Sequence, residues 1–336
     1  MSIPVELWRP IIAHVPAKHD LATLAQVSRL FQLEAERVLY RALILHHADD
    51  ALPHALAVSR RRALLVHECS LYLPAAPRKS HALLAALARM RNLHTLSIRG
   101  PLPAAAAKGL ALPFRLRTFC TTEPLSRPLI ALLRAQPSIT RLTLLHPSPA
   151  PAPPALAAAL PNAHALATLT PAPALAILPH RPVTHLHILA WARAPLTDVA
   201  PRLGASAGPL RALMCAEGLD LAPADLGLLA MHIPNLAFLG DCRLTAPLPA
   251  YLPALAALPL RTLLVNRASP GLPARFSEPA LVRALGAACK RLDRVVFTQR
   301  VTAGYVWHRD LAAAADWRIV PVDDPCEVAA DLWRAA

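Results

Sequence analysis

Leu93-His94-Thr95-Leu96-Ser97-Ile98 is a phrase with a simple grammar: apolar, two others, apolar, one other, apolar. The same phrase returns at Ile139-Thr140-Arg141-Leu142-Thr143-Leu144, Val183-Thr184-His185-Leu186-His187-Ile188 and Leu210-Arg211-Ala212-Leu213-Met214-Cys215. It recurs at Leu260-Arg261-Thr262-Leu263-Leu264-Val265 and Leu292-Asp293-Arg294-Val295-Val296-Phe297, with looser copies starting at Leu116, Leu166 and Leu236. Starts at 93, 116 and 139 lie 23 residues apart, and those at 210, 236 and 260 lie 26 and 24 apart. Such a period, with alternation at the end of the phrase, predicts a short strand in every unit. Ala/Leu-rich stretches at 80–90, 126–135, 224–233 and 278–290 predict helices between the strands. One helix, one tight turn and one strand cannot bury an inner face alone, so the units must stack.

The pattern resembles the divergent leucine-rich arrays that follow an F-box in many fungal proteins. That resemblance implies an α/β solenoid with short parallel strands on its concave face, over residues 49–320. The Asn usual after the strand in such repeats is mostly missing, and Asn266 is the plausible instance. Pro147, Pro149, Pro151, Pro153 and Pro154 mark 147–182 as a proline-rich irregular insertion. At the far end, 321–336 reads as a capping helix. Asp324-Pro325-Cys326-Glu327 forms its start, and Val328, Leu332 and Trp333 close the array.

The first fifty residues carry a different pattern. Pro4 and Glu6 suit the first turn of a helix, and Leu7, Ile11 and Val15 form a stripe at helical spacing. Pro16 ends the block. Asp20 is placed to cap a second helix, and Ser28 a third in which Phe31, Ala35 and Val38 or Leu39 align. Three helices this short leave apolar surface that needs a partner.

Residue by residue, this stretch resembles the F-box. Ile3-Pro4-Val5-Glu6-Leu7 stands where that family has Leu-Pro-x-Glu-Leu. Ile11-Ile12, Asp20-Leu21, Val27-Ser28-Arg29-Leu30-Phe31 and Leu39-Tyr40 come after it in family order. Pro10 departs from the pattern and is expected to kink the first helix or delay its start. The resemblance implies an F-box domain at 1–48. Its surface for a Skp-type adaptor would draw on Ile3, Pro4, Leu7, Ile11, Ile12, Val27 and Phe31. The fold class expected of the whole chain is therefore α+β: a three-helix module, then the repeat array.

Composition narrows the function classes. Hydrophobic residues make up 55% of the 336, so a large core is available. The net charge of +14 comes from scattered arginines; the longest run is Arg60-Arg61-Arg62, with no interleaved aromatics, so nucleic acid is not the expected partner. Proline interrupts the uncharged stretch 142–180 too often for a membrane span. Six dispersed cysteines without a Cys-x-x-Cys pair read as buried thiols of a reducing compartment, which with no leader-like start predicts a cytoplasmic or nuclear protein.

Three patterns imitate chemistry. Gly204-Ala205-Ser206-Ala207-Gly208 matches the Gly-x-Ser-x-Gly elbow of hydrolases, but the order here is helix, turn, strand, the reverse of what that chemistry needs. His308-Arg309-Asp310-Leu311 copies a kinase catalytic loop without its companion motifs. His185 and His187 alternate on one strand without a third ligand in view.

The expectation is thus a protein without catalytic, cofactor or metal residues. The F-box resemblance implies a substrate receptor of a Skp–cullin–F-box ubiquitin ligase, with its target on the concave face. Alternation puts Arg99, Arg141, His185, His187, Met214 and Phe238 on that face. The alternative is a ligase-independent repeat scaffold with a degenerate F-box.

Overall fold

The computed structural model describes residues 4–46, 51–73, 80–101, 112–146, 159–179, 181–191, 194–272, 277–298, 304–310 and 316–322. They belong to two compact units, 1–143 and 144–336. The expected boundary near residue 48 falls inside the first unit.

The first unit opens with helices α1 (Val5–Ala13), α2 (Lys18–Val27) and α3 (Arg29–Leu39). Helix α1 begins at Val5, directly after Pro4, and runs through Pro10, so Pro10 does not delay its start. Asp20 lies in the first turn of α2 rather than at its cap, which is Ala17. There the carboxylate faces the positive end of the helix dipole. Ser28 does cap α3, its Oγ accepting from the Phe31 backbone N–H at 3.3 Å. Ile12, Leu21 and Ala35 form the buried centre of the three helices, and Trp8, Phe31, Leu24 and Leu39 pack around it. Trp8 and Phe31 meet edge-to-face with centroids 4.8 Å apart, a geometry the ring quadrupoles favour.

A buried carboxylate joins this bundle to the next helical segment of the chain. Glu36 on α3 is 4% exposed and receives the guanidinium groups of Arg61 and Arg62. Both arginines belong to the short helix α5 (Arg60–Ala63), which comes after α4 (Ala51–Val58). The basic run thus neutralises an interior charge instead of forming a purely solvated surface, and Arg62 also lies over the Tyr40 ring.

Strands of the first unit follow chain order: β1 (Ala42–His46), β2 (Glu68–Tyr72), β3 (Thr95–Arg99), β4 (Thr118–Thr121) and β5 (Arg141–Leu144). The pairs β1–β2, β2–β3 and β3–β4 are parallel. In the second unit β6 (Ala165–Thr168), β7 (His185–Ile188), β8 (Ala212–Leu221), β9 (Phe238–Leu244), β10 (Thr262–Asn266) and β11 (Arg294–Thr298) also pair in chain order and in parallel. After the three helices of the first unit, and up to β11 in the second, each unit is α/β, with helices and parallel strands in an open, solenoid-like order.

The phrase explains the burial. Leu93, Leu96 and Ile98 are buried, whereas Thr95 and Ser97 are half-exposed and Arg99 is exposed. The helix leucines, such as Leu83, Leu87, Leu129 and Leu133, are buried too. Alternate side chains fall on the other, open face.

One backbone device sets the register in both units. The carbonyl of the residue just before a strand accepts the N–H groups of two consecutive residues in the next repeat. In the first unit these carbonyls belong to Arg41, His67, His94 and Arg117; in the second, to His164, Thr184, Arg211, Ala237 and Arg261. Between the hooks, chain length varies and helices change size. Gly100, at φ +103°, shows how closely successive turns approach: a Cβ there would lie 2.4 Å from the Leu73 carbonyl oxygen.

Four features differ from the sequence expectation. Residues 159–179, expected inside the irregular insertion, hold a regular unit: β6 and the helix Pro171–Ile177, which starts with proline at N1. The copy of the phrase there starts at Ala163 rather than Leu166, since Leu166 pairs with Leu186. Residues 147–158 lie outside the described residues. The parallel order ends at β11, where β12 (Gly304–Asp310) and β13 (Asp316–Val322) add an antiparallel hairpin. Pro321 and Val322, expected in the capping helix, are therefore strand, and the rest of that helix, 323–336, lies outside the described residues. Finally, β10 is buried at all five positions, so both faces of the sheet are covered there.

Turns between repeats are stitched by side chains. The Tyr251 hydroxyl donates to the Leu221 carbonyl at 2.6 Å and accepts from the Thr245 and Ala246 N–H groups at 2.8 Å each. Asn266 accepts from the Ala268 N–H at 2.9 Å and donates to Asp241. Buried Gln136 bridges the Phe114 carbonyl and the Leu116 N–H.

Replacing Leu96 with Ala is expected to cost about 2–5 kcal/mol in urea unfolding, since the cavity lies in a buried apolar layer. Ser97→Ala, on the open face, is expected to cost less than about 1 kcal/mol.

Candidate functional site

The three-helix bundle presents the first candidate surface. Leu7 and Ile11 are one turn apart on α1 and are 51% and 48% exposed, and Val27 at the end of α2 is 64% exposed. Pro4 is exposed as well. Local structure accounts for this. Ile12 faces the neighbouring helices, so Leu7 and Ile11 fall on a different stripe of α1. The bundle is small, and its centre is filled by Ile12, Leu21 and Ala35.

One of the expected adaptor contacts needs correction. Ile12 is 2% exposed and belongs to the bundle core, because the helical repeat carries it about 100° round from Ile11. Phe31 is half-buried against Trp8. Ile3 lies outside the described residues.

The open face of the strands is the second candidate surface. In the second unit His187 pairs in register with Met214, and His185 lies two residues before it on β7. All three are half-buried. In the first unit Arg99 and Arg141 are exposed on that face, and Arg99 lies over the Tyr72 ring at 5.1 Å. Phe238 is the correction here. It occupies the open-face register but is fully buried, its ring folded over Gly240 and closing the space a Cβ would need. That burial takes it out of reach of a partner.

Burial lowers the His187 pKa to about 4. The ring flanks Ala167 and Met214 in register, and desolvation penalises the charged imidazolium. Among the described residues no cluster of three His, Cys, Asp or Glu side chains could hold a metal ion.

The imitations of chemistry resolve structurally. Gly204 caps the helix Leu196–Leu203, and a Cβ there would meet the His232 carbonyl oxygen at 2.6 Å. The Ser206 Oγ sits 2.9 and 3.0 Å from the carbonyl oxygens of Arg181 and Val183. The hydroxyl thus ties a turn to the neighbouring repeat, and the helix–turn–strand order is as the sequence indicated. His308-Arg309-Asp310 lies in strand β12, not in a loop. Cys69, Cys215, Cys242 and Cys289 are free and buried, and burial raises the Cys69 thiol to about 12 and Cys289 to about 11.

The sequence reading missed the edge of the sheet where the strands begin. Of the nine hook carbonyls among the described residues, seven belong to Arg or His: Arg41, His67, His94, Arg117, His164, Arg211 and Arg261. Burial, then the positive charges of His94 and Arg41, lower the His67 pKa. The available signal was the second position of the phrase, which is basic in several copies.

No protein-family model matches the chain, and no curated protein matches it. Among the described residues no helix is long and apolar enough to cross a membrane.

Because the His187 pKa is lower in the folded chain than the ordinary histidine value of 6.5, its neutral form stabilises the fold above about pH 6.5, and that contribution is lost as pH falls towards about 4. His187→Gln is expected to flatten the pH dependence of Tm across this window, as followed by circular dichroism.

Proposed function

We propose that the chain is a substrate receptor of the F-box type, in which the three helices dock a Skp-type adaptor of a cullin-RING ubiquitin ligase and the repeats hold a target protein. The observation that carries the reading is the apolar surface of Leu7, Ile11 and Val27 on a bundle whose own core is complete. Exposed leucine and isoleucine one turn apart on a short helix suit a protein interface. The match of Pro4–Leu7, Asp20-Leu21 and Val27–Phe31 to the family motif names the kind of partner. The alternation of helix and parallel strand in both units supports leucine-rich repeats as the target-holding part.

On this reading the protein performs no chemistry. It positions a target while other subunits transfer ubiquitin, and it works in the cytoplasm or nucleus, where that machinery resides. The role of the bundle as a plain end cap, in a scaffold that works without a ligase, has one observation in its favour. The pairing of Glu36 with Arg61 and Arg62 fastens α3 to the neighbouring helix α5.

Co-purification of the full chain with a Skp-type adaptor separates the two. The wild type is expected to hold the adaptor, and Leu7→Ala/Ile11→Ala to lose it, since each anchor contributes on the order of 2 kcal/mol. Both residues are exposed, so the variant should keep its circular-dichroism spectrum. A folded wild type that never retains the adaptor leaves the scaffold. A fluorophosphonate probe is expected to leave Ser206 unlabelled, and labelling abolished by Ser206→Ala would overturn the non-enzymatic reading.

A further inference from the structure

The edge of the second unit where the strands start forms an open cleft of about 640 Å³, and its lining is dominated by one chemistry. Arg211, Arg261, Arg291 and Arg294 line it together with Asn235, Thr262 and a single acid, Asp293. Arg211, Arg261 and Arg291 are exposed, and Arg294 is half-exposed. None of the four forms an ion pair with a carboxylate among the described residues. Elsewhere in the same chain arginines are engaged: Arg61 and Arg62 with Glu36, Arg243 with Asp220, Arg267 with Glu278.

The backbone fixes this grouping. Arg211 and Arg261 are both hook residues, their carbonyls each held by two N–H groups of the next repeat. Ala237 is the hook between them, so the two arginines stand two strands apart, about 10 Å at the usual strand spacing. Arg294 begins β11 beside Thr262, and Arg291 lies just before that strand. The guanidinium groups are therefore mounted on fixed backbone, with a small residue leaving a gap between them.

We propose that this cleft binds an extended acidic segment of a protein partner, its anionic side chains paired with Arg211, Arg261, Arg291 and Arg294. The proposal rests on the reading that the repeats hold a target, and it adds the chemistry of that target. Guanidinium groups match carboxylates and phosphates in two-pronged geometry, so the segment is recognised as an anion whether its charge comes from Asp and Glu or from phosphorylated serine. A nucleic-acid strand fits less well, because no aromatic ring is among the residues lining the cleft to stack a base.

The test uses the full chain alone, without an adaptor, and short fluorescent peptides read by anisotropy. One peptide carries Asp and Glu, a second phosphoserines at the same positions, a third Asn and Gln; labelled oligo-dT is the fourth probe. Binding of an acidic peptide that weakens with added salt and falls about tenfold or more in Arg211→Gln/Arg261→Gln is the expected result. The tighter of the two anionic peptides identifies the source of the charge. Arg91→Gln/Arg115→Gln, exposed arginines of the first unit, removes the same net charge and should leave binding within about twofold. Equal binding of the neutral peptide, no binding of either anionic peptide, an equal loss in the control variant, or tighter binding of oligo-dT than of both peptides overturns the proposal. Adaptor co-purification is read separately, so either reading can fail while the other stands.

Discussion

The structure depends on a shared backbone carbonyl. In repeat after repeat the residue before the strand offers one oxygen to two successive N–H groups of the next repeat. A bond of this kind needs no particular side chain, which is why Arg, His, Thr and Ala all occupy the position. It does need the chain to return to the same place in each turn. The apolar phrase makes that return favourable by burying Leu, Ile and Val against the helices, and the hook then fixes the register. Stacking is the result of both, because neither the buried row nor the carbonyl is satisfied within one repeat.

That division of labour explains what the sequence made visible. The phrase repeats in one dimension, so strands β3–β5 and β7–β11 are legible from Leu93, Ile139, Val183 and Leu210 onward, and the helices 126–135 and 278–290 from their leucines. The unit at 159–179 is hidden because proline reads as a breaker, whereas Pro171 sits at the first turn of its helix, where it loses no hydrogen bond. The hairpin of β12 and β13 carries no copy of the phrase and so gives no signal. In the bundle, Ser28 is legible as a cap, while Asp20 is not distinguishable from a first-turn acid.

Burial is the harder quantity to foresee. Alternation correctly separates Leu96 from Ser97, but it assumes one covered face and one open face. At β10 both faces are covered, and Phe238 goes with them. Ile12 illustrates the same limit in the helices: adjacent apolar residues on α1 diverge, one into the core and one to solvent. The exposed stripe of Leu7 and Ile11 and the buried Ile12 are all apolar in sequence, and only packing tells them apart. The arginine cleft escapes a sequence reading for a different reason. Arg211, Arg261 and the pair Arg291 and Arg294 are far apart in the chain and look like scattered charge, and the stacking of the repeats gathers them on one edge.

The hooks also bear on how such a chain can change length. Successive hook carbonyls in the second unit are separated by 20, 27, 26 and 24 residues, so the interval is elastic while its two ends are not. A deletion that removes one whole interval, from a residue after one hook to the next hook, reconnects strand to strand in register. A deletion of half an interval leaves a carbonyl without its pair of N–H groups and an apolar row without its neighbour. Gene rearrangements that survive in this array should therefore come in whole intervals, and small insertions should gather on the helical side, where nothing is counted.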